Sequence, residues 1–412
     1  MDAHTRLLHD AFQACVDAAR PQRWLPPALE ALEPPAGRVV VLALGKAAPA
    51  MAEAFAGAWD GPYAGLVVAP RGEGRPVPGF TVLEGAHPVP DATSLRAGQA
   101  ALAFATGAGP ADLLLVLVSG GASAMACAPV AGVSLDRKAE ATRRLLASGA
   151  DISEINAVRR AASRLKGGGL ARASRAARVV TLAMSDVPGD VTSDIGSGPA
   201  VASPTTAADA VEVLRRYAPD LAERMEGPMR GHEQVAGPIR AEIQASVAFH
   251  MEDALDAAES LLRAHGWPVD RLGVLRGEAR ATGAEHARLC AAPSRNAILS
   301  GGELTVDLAA APGRGGRNQQ YLLSLAQALA GRTHVWALAA DTDGRDGSAP
   351  AAGAWIDPAM LGALDAAEAA RALDACDAHE VFRRHDRLVE TGATGVNVGD
   401  FRLILVGPGS GA

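Results

Sequence analysis

The sequence predicts an α/β protein built on a mostly parallel sheet with helices on either side. Three observations carry this expectation. Short, continuously apolar runs recur and end near glycine, alanine-rich stretches of helical length separate them, and 49% of the 412 residues are hydrophobic. Apolar runs without alternation belong to strands buried on both faces, which is the situation in a parallel sheet covered by helices. A chain of this length and apolarity can fill the cores of two or three domains.

Taken in order, the first segment, MDAHTRLLHDAFQACVDAAR, carries charge throughout at amphipathic spacing, which predicts a helix and no signal peptide. Strands are predicted over 38–45, 65–70, 112–121 and 177–186, with helices such as 46–59 and 94–105 between them. No charge falls between Asp112 and Asp136, but Gly120, Gly121, Pro129 and Gly132 interrupt that stretch. Its apolar part, LLLVLV, is strand-sized, so no membrane span is expected. After Tyr217 the periodicity lapses into Gly, Pro and charge, which places a domain boundary near residue 235. Residues 1–235 are read as a Rossmann-like, three-layer α/β domain and 236–412 as a second α/β domain. The second is read as strand 241–248, helix 249–265, strand 271–276, a helix to about 290, strands 297–300 and 304–309, helix 317–330, and strands 335–341 and 401–406.

Composition excludes several classes. The net charge is −7 and aromatic residues make up 4% of the chain, whereas nucleic-acid binding needs clustered cations and, on single strands, stacking rings. The cysteines Cys15, Cys127, Cys290 and Cys376 stand far apart. Neither a zinc knuckle nor a disulfide framework is indicated, and a reducing cytoplasm fits best. Lysine occurs only at 46, 138 and 166, every other cation being arginine. Lys138 sits in a charged helical stretch and is read as a solvated side chain, while Lys46 and Lys166 both adjoin glycine.

Ligands of open parallel sheets sit beyond the carboxyl ends of the strands, so the residues that follow each strand deserve the closest reading. Gly45-Lys46 follows the first strand and joins an ammonium to a helix start, which suits an anion. Ser119-Gly120-Gly121-Ala122-Ser123 offers N–H and hydroxyl donors with room for close approach, although a plain turn would read the same. Arg159, Arg160, Arg164 and Lys166 recur at helical spacing before a triple glycine, equally a solvated face or a binding one. Asp186 and Asp190 follow the fourth strand and precede Gly196-Ser197-Gly198-Pro199, carboxylates of the kind Mg²⁺ takes beside substrate phosphates. Ser300-Gly301-Gly302-Glu303 repeats the theme of strand and then glycines, and Gly315-Gly316-Arg317-Asn318 opens a helix with a guanidinium and an amide, a candidate polyanion cradle. Asp341 to Gly347 has the look of a calcium loop but carries Ala352 where the bidentate glutamate belongs. The Walker A, dinucleotide, metalloprotease, hydrolase-elbow and protein-kinase patterns are all missing.

In their order these loops resemble the glycerate 2-kinases whose C-terminal half is called the MOFRL domain. The resemblance runs from about Val39 to Val406 through LGKAA (44–48), HPVPD (87–91), VSGGAS (118–123), NAVRR with LKGGGLA (156–171), SDVPGD with IGSGP (185–199), SGGELTV (300–306), GRGGRNQ (313–319), DTDGRDGSAPAAGA (341–354) and TGATGVNVGD (391–400). It implies phosphorylation of D-glycerate at its 2-hydroxyl with ATP and Mg²⁺, in a cleft between two α/β domains. It further implies catalytic roles for Lys46 and Arg317, and the chemistry of phosphoryl transfer adds the expectation that Asp186 or Asp190 orients Mg²⁺ or accepts the hydroxyl proton. Gly45, Ser119, Gly120, Gly121, Ser123, Arg159, Lys166, Gly198, Gly301, Gly302, Glu303, Gly315, Gly316 and Asn318 are the expected substrate or phosphate contacts. The expected partners are D-glycerate and ATP, with no nucleic acid and no membrane, and a homodimer is compatible with the resemblance. Ala393, Val396 and Ala200 depart from the family's usual Pro, Thr and Thr. The alternatives are a reductase of hydroxypyruvate, a label that similar proteins have carried, and a non-catalytic sensor of sugar phosphates or nucleotides.

Overall fold

The computed structural model describes residues 2–187, 189–290, 294–307 and 313–407. The chain divides into two compact units. One holds residues 21–185 and 189–249, the other residues 1–20, 186–188 and 250 onward.

The first unit carries six strands: β1 (Val39–Leu44), β2 (Tyr63–Pro70), β3 (Phe80–Gly85), β4 (Leu113–Val118), β5 (Arg178–Met184) and β6 (Glu242–Phe249). They pair in the Rossmann-like order β3-β2-β1-β4-β5-β6, every pair parallel. All residues of β1 and β4 are buried, as their uninterrupted Val and Leu require, so both faces of the sheet centre are covered. Helices Ala48–Ala58 and Ala92–Gly107 pack on β1 and β2. The second of these starts at a capping box between Asp91 and Ser94 and buries Ala97, Gly98 and Ala101, small residues that allow close approach. A Cβ at Gly98 would lie 2.3 Å from the Cys127 carbonyl oxygen.

A second core in this unit is helical. It gathers side chains from helices Leu135–Ala147, Ile152–Ala161, Ala207–Tyr217 and Pro219–Val235. The last of these occupies the stretch that the sequence reading treats as a boundary. Leu221, Ala222, Met225 and Met229 form one buried stripe along it, and so narrow a stripe is hard to see among Gly, Pro and charge. The boundary near 235 therefore needs correction. Strand β6 closes the first sheet, and the chain leaves this unit after Phe249.

The second unit carries β7 (Val269–Glu278), β8 (Asn296–Thr305), β9 (Val335–Asp341), β10 (Gly353–Ile356), β11 (Leu388–Val389) and β12 (Asp400–Val406). Their order is β11-β10-β9-β12-β8-β7, with only β7 and β8 parallel. The two strands expected at 297–300 and 304–309 are one continuous strand, and residues 308 and 309 lie outside the described ones. The helix Ala3–Ala18 belongs to this unit and not to the first, packing on β9, β12 and the helix Met251–Ala264. His4 stacks on Trp336, and Phe12 meets Phe401. The helix Arg317–Ala328 is buried without a break from Asn318 to Ala326, so it has no solvent face to show in the sequence. Among the described residues no helix is long and apolar enough to cross a membrane.

Candidate functional site

In the first sheet the strand order reverses between β1 and β4, and ligands of such sheets bind at that point, beyond the strand ends. Gly45-Lys46-Ala47 and Ser119-Gly120-Gly121 leave the sheet there, and the two loops are latched together. The Ser119 Oγ accepts the Ala47 N–H at 3.0 Å, and the Lys46 N–H donates to the Gly120 carbonyl at 2.9 Å. Gly45 has φ +122° and lies so close that a Cβ would stand 2.4 Å from the Ser119 Oγ. Gly121, at φ +81°, is bounded by Met125, His87 and Lys46, the latter two 3.3 Å from where its Cβ would be. Among the described residues no protein acceptor meets the Gly120 and Gly121 N–H groups. A lysine and two such N–H donors at a sheet switch point are the donor types from which anion sites are built.

Behind this loop runs a directional chain of polar groups. Arg160 Nη1 donates to Asp194 Oδ1 at 3.0 Å, Asn156 Nδ2 donates to the same oxygen at 3.3 Å, Ser197 Oγ donates to Asn156 Oδ1 at 2.9 Å, and Ser123 and Ser197 are 2.9 Å apart. The Gly198 and Ser197 carbonyls accept the Gly168 and Gly167 N–H groups at 2.9 and 3.1 Å, so the expected phosphate loop is laced to the triple glycine. Lys166 is buried and donates to the Ala126 carbonyl at 3.0 Å, with burial pushing its ammonium down to about 7. Lys138 is buried as well, contrary to the solvated reading. Its Nζ donates to the carbonyls of Ala162 and Arg159 and so caps the end of the helix Ile152–Ala161. Arg159 is half-buried, and burial pushes its guanidinium down to about 10.

In the second unit Arg317 opens a helix, and its guanidinium is held by three carboxylates from three strands. Nε donates to Asp400 at 2.8 Å, Nη2 to Asp341 at 2.8 Å and Nη1 to Glu303 at 3.0 Å. Burial alone would lower this guanidinium, but Asp400, Asp341 and Glu303 outweigh it and hold Arg317 well above its usual range. Asp400 also accepts from Asn318 Nδ2 at 2.7 Å and from Arg402 Nη1 at 3.1 Å. Asp346 takes the Asn318 and Gln319 N–H groups at 3.1 and 2.9 Å, which satisfies the helix start. Burial pushes its carboxyl up to about 6. A Cβ at Gly316 would stand 2.3 Å from Asp346 Oδ1, and Gly315 has φ +135°.

Some expected contacts fall elsewhere. Gly301 and Gly302 lie inside β8, paired with β12 on one side and β7 on the other, so they form no loop. Their lack of a side chain answers crowding, because a Cβ at Gly302 would stand 2.1 Å from the Leu275 carbonyl oxygen. Asp186 groups with the second unit, where Asn397 Nδ2 donates to its Oδ2 at 2.6 Å, while Asp190, at φ +53°, groups with the first. Among the described residues no set of three or more His, Cys, Asp or Glu gathers as metal ligands. Asp341, Asp346 and Asp400 were not singled out from the sequence. The first two sit in the DTDGRDGSAPAAGA stretch, whose residues were weighed one by one only against a calcium pattern, and Asp400 is the last residue of the TGATGVNVGD stretch.

Two family descriptions match the chain, a domain of unknown function (DUF4147) over residues 7–230 and the MOFRL family over 296–400. A D-glycerate 2-kinase of Thermotoga maritima is 32% identical, the match covering 97% of this chain and 98% of that protein. A protein of Agrobacterium vitis provisionally named hydroxypyruvate reductase is 43% identical, covering 98% of this chain and 94% of that one. The crystal structure of the Thermotoga maritima glycerate kinase superposes with a TM-score of 0.83 at 32% identity, covering 97% of this chain and 99% of that one. With both domains matched and a kinase alike over its full length in sequence and in fold, the chain belongs to the MOFRL class of the glycerate 2-kinase family and is a kinase.

Proposed function

We propose that the chain transfers the γ-phosphoryl group of ATP to the 2-hydroxyl of D-glycerate, giving 2-phosphoglycerate and ADP. The observation that carries this reading is the full-length likeness to a protein named D-glycerate 2-kinase, in a chain whose own loops carry Lys46 and Arg317. Phosphoryl transfer asks a protein for positioning and charge stabilisation more than for covalent chemistry. Lys46 and Arg317 are assigned to stabilising charge on the transferring group. The Gly120 and Gly121 N–H groups are assigned to an anionic group, the glycerate carboxylate or a phosphate. Mg²⁺ takes one or two carboxylates and completes its shell with water and phosphate oxygens. Asp186, oriented by Asn397, is a donor of the right chemistry for that mode, with Asp190 the second candidate. The carboxylate not used by the metal is assigned to accept the hydroxyl proton. When bound, Mg²⁺ would neutralise charge on the phosphates.

The name of the 43% identical relative keeps a second reading in view, reduction of hydroxypyruvate by a nicotinamide cofactor. After β1 this chain reads Gly45-Lys46-Ala47-Ala48-Pro49-Ala50, where a dinucleotide site would need G-x-G-x-x-G. The deciding experiment follows ADP release with ATP and D-glycerate and identifies the product by NMR. The proposal expects 2-phosphoglycerate. NADH oxidation by hydroxypyruvate, with no ADP formed from glycerate, overturns it.

A further inference from the structure

Arg160, Lys166, Arg172 and His232 line one cavity of about 460 Å³ in the first unit, together with hydroxyls such as those of Ser203 and Thr205. That volume falls among pockets that hold small organic ligands. Of its cations, Arg160 is committed to Asp194 and the Ser193 carbonyl. The other basic groups are not matched by acids. Lys166, 2% exposed, has the Ala126 carbonyl as its one acceptor among the described residues, and Arg172 donates to the Gly167 carbonyl at 2.8 Å. Burial lowers the His232 imidazole below its usual range, and Arg172, Arg164 and Lys138 lower it further, so further cations lie within electrostatic reach. Against them stands one acid in the lining, Glu233, whose carboxylate accepts the Ala207 N–H at 2.9 Å. A desolvated ammonium with unspent donors, placed beside a guanidinium and an imidazole, is costly unless an anion joins it.

We propose that this cavity binds a small organic phosphate, its phosphoryl oxygens taken by Lys166, Arg172 and His232 and its organic part lying toward Met229 and Ile239. A phosphomonoester brings about two negative charges and three acceptor oxygens, which match the unspent donors. The cavity is larger than a bare phosphate fills, and Met229 and Ile239 supply apolar wall. The inference does not rest on the reaction proposed above, and the two fail separately.

The test is calorimetric titration of the full-length protein at neutral pH with 3-phosphoglycerate, AMP and inorganic phosphate, on wild type, Lys46→Ala and Arg172→Glu. One of the two organic phosphates is expected to bind wild type and Lys46→Ala alike and to lose at least roughly tenfold in affinity in Arg172→Glu. Which of them binds tells a phosphorylated acid from a nucleotide. Thermal melts check that the variants fold, and His232→Glu carries the same expectation should Arg172→Glu fail to do so. The site is refuted if neither organic phosphate binds, if inorganic phosphate alone binds, or if binding disappears in Lys46→Ala but survives in Arg172→Glu.

Discussion

Asp400 accepts the Nε–H of Arg317 on one carboxylate oxygen, at 2.8 Å, and an Nη1–H of Arg402 on the other, at 3.1 Å. One buried acid thus orients the proposed catalytic guanidinium and neutralises a second arginine that is 1% exposed. Asp400→Asn keeps the shape and removes the charge. We expect kcat to fall about 100-fold as Arg317 loses its anchor, and stability to fall by about 3 kcal/mol because Arg402 is left without its counter-charge. Steady-state kinetics and urea unfolding measure the two separately. A variant that lost stability yet kept wild-type kcat would show that Asp400 serves Arg402 alone.

Lys46 is one of three lysines in a chain that otherwise uses arginine, and its own backbone is fixed by the Gly120 carbonyl. If a compact ammonium is needed, a broad, planar guanidinium will not replace it. Lys46→Arg should lose most of the activity that Lys46→Ala loses, about 100-fold or more in kcat, with melting temperatures near wild type. Retention of activity within a few-fold by either variant removes Lys46 from the chemistry.

Gly121 separates Lys46 from Met125 and His87. A methyl group there would stand 2.5 Å from the Met125 Cε and 3.3 Å from both Lys46 and His87, on a backbone at φ +81°. Gly121→Ala should cost about 1–2 kcal/mol of stability from the left-handed backbone. It should also displace Lys46, so that kcat falls by more than an Ala substitution at the open Gly107 causes. Comparing the two in the ADP-release assay isolates crowding at Lys46 from the loss of a glycine.

The first sheet was legible because burial on both faces leaves no choice of residue. Val39–Leu44 and Leu113–Val118 contain nothing but Val, Leu and Ala, and both strands stand where they were expected. The second sheet was less so. Gly301 and Gly302 read as a loop, since only the paired strands reveal Leu275 and Met251 crowding those positions. The proposed site was legible as Lys46, Arg317 and Glu303, and not as the two other acids that hold Arg317. Asp341 and Asp400 stand some 60 residues apart and meet only through the pairing of β9 with β12, for which spacing gives no signal, and Asp346 comes from the loop after β9. Lys138 and Lys166 show the same limit, because burial of a lysine depends on what closes over it.

Lys166 should leave a trace in the pH dependence of stability. Burial holds its folded-state value near 7 against 10.5 for the free side chain. Between those values the unfolded chain binds the proton and the native one does not, so stability rises with pH across the window. Below about 7 both states are protonated and the burial penalty is fully felt. Lys166→Met should therefore gain most over wild type near pH 6, and the gap should close toward pH 10. Urea denaturation of both proteins over this range measures it, and a pH-independent gap would show that Lys166 is not desolvated.

The hydroxyl of Ser123 has a settled direction. Asn156 turns its Nδ2 to Asp194, which can only accept, so its Oδ1 faces Ser197. Ser197 has one proton and gives it to that oxygen. Across the 2.9 Å contact between the two serines, Ser123 must then be the donor. A hydroxyl that spends its proton inward has none left for a phosphate, so we assign Ser123 to positioning the glycine loop, where the sequence reading expects a contact to the substrate anion. Because the run ends on the Arg160–Asp194 ion pair, its members should be coupled. Ser123→Ala and Ser197→Ala are each expected to cost about 1 kcal/mol in urea unfolding, and the double variant less than their sum by about 0.5 kcal/mol or more. The kinetic signature should be a raised KM with kcat little changed, since the loop is displaced without loss of a contact special to the transition state. Strict additivity, or a drop in kcat at constant KM, would instead place Ser123 on the substrate.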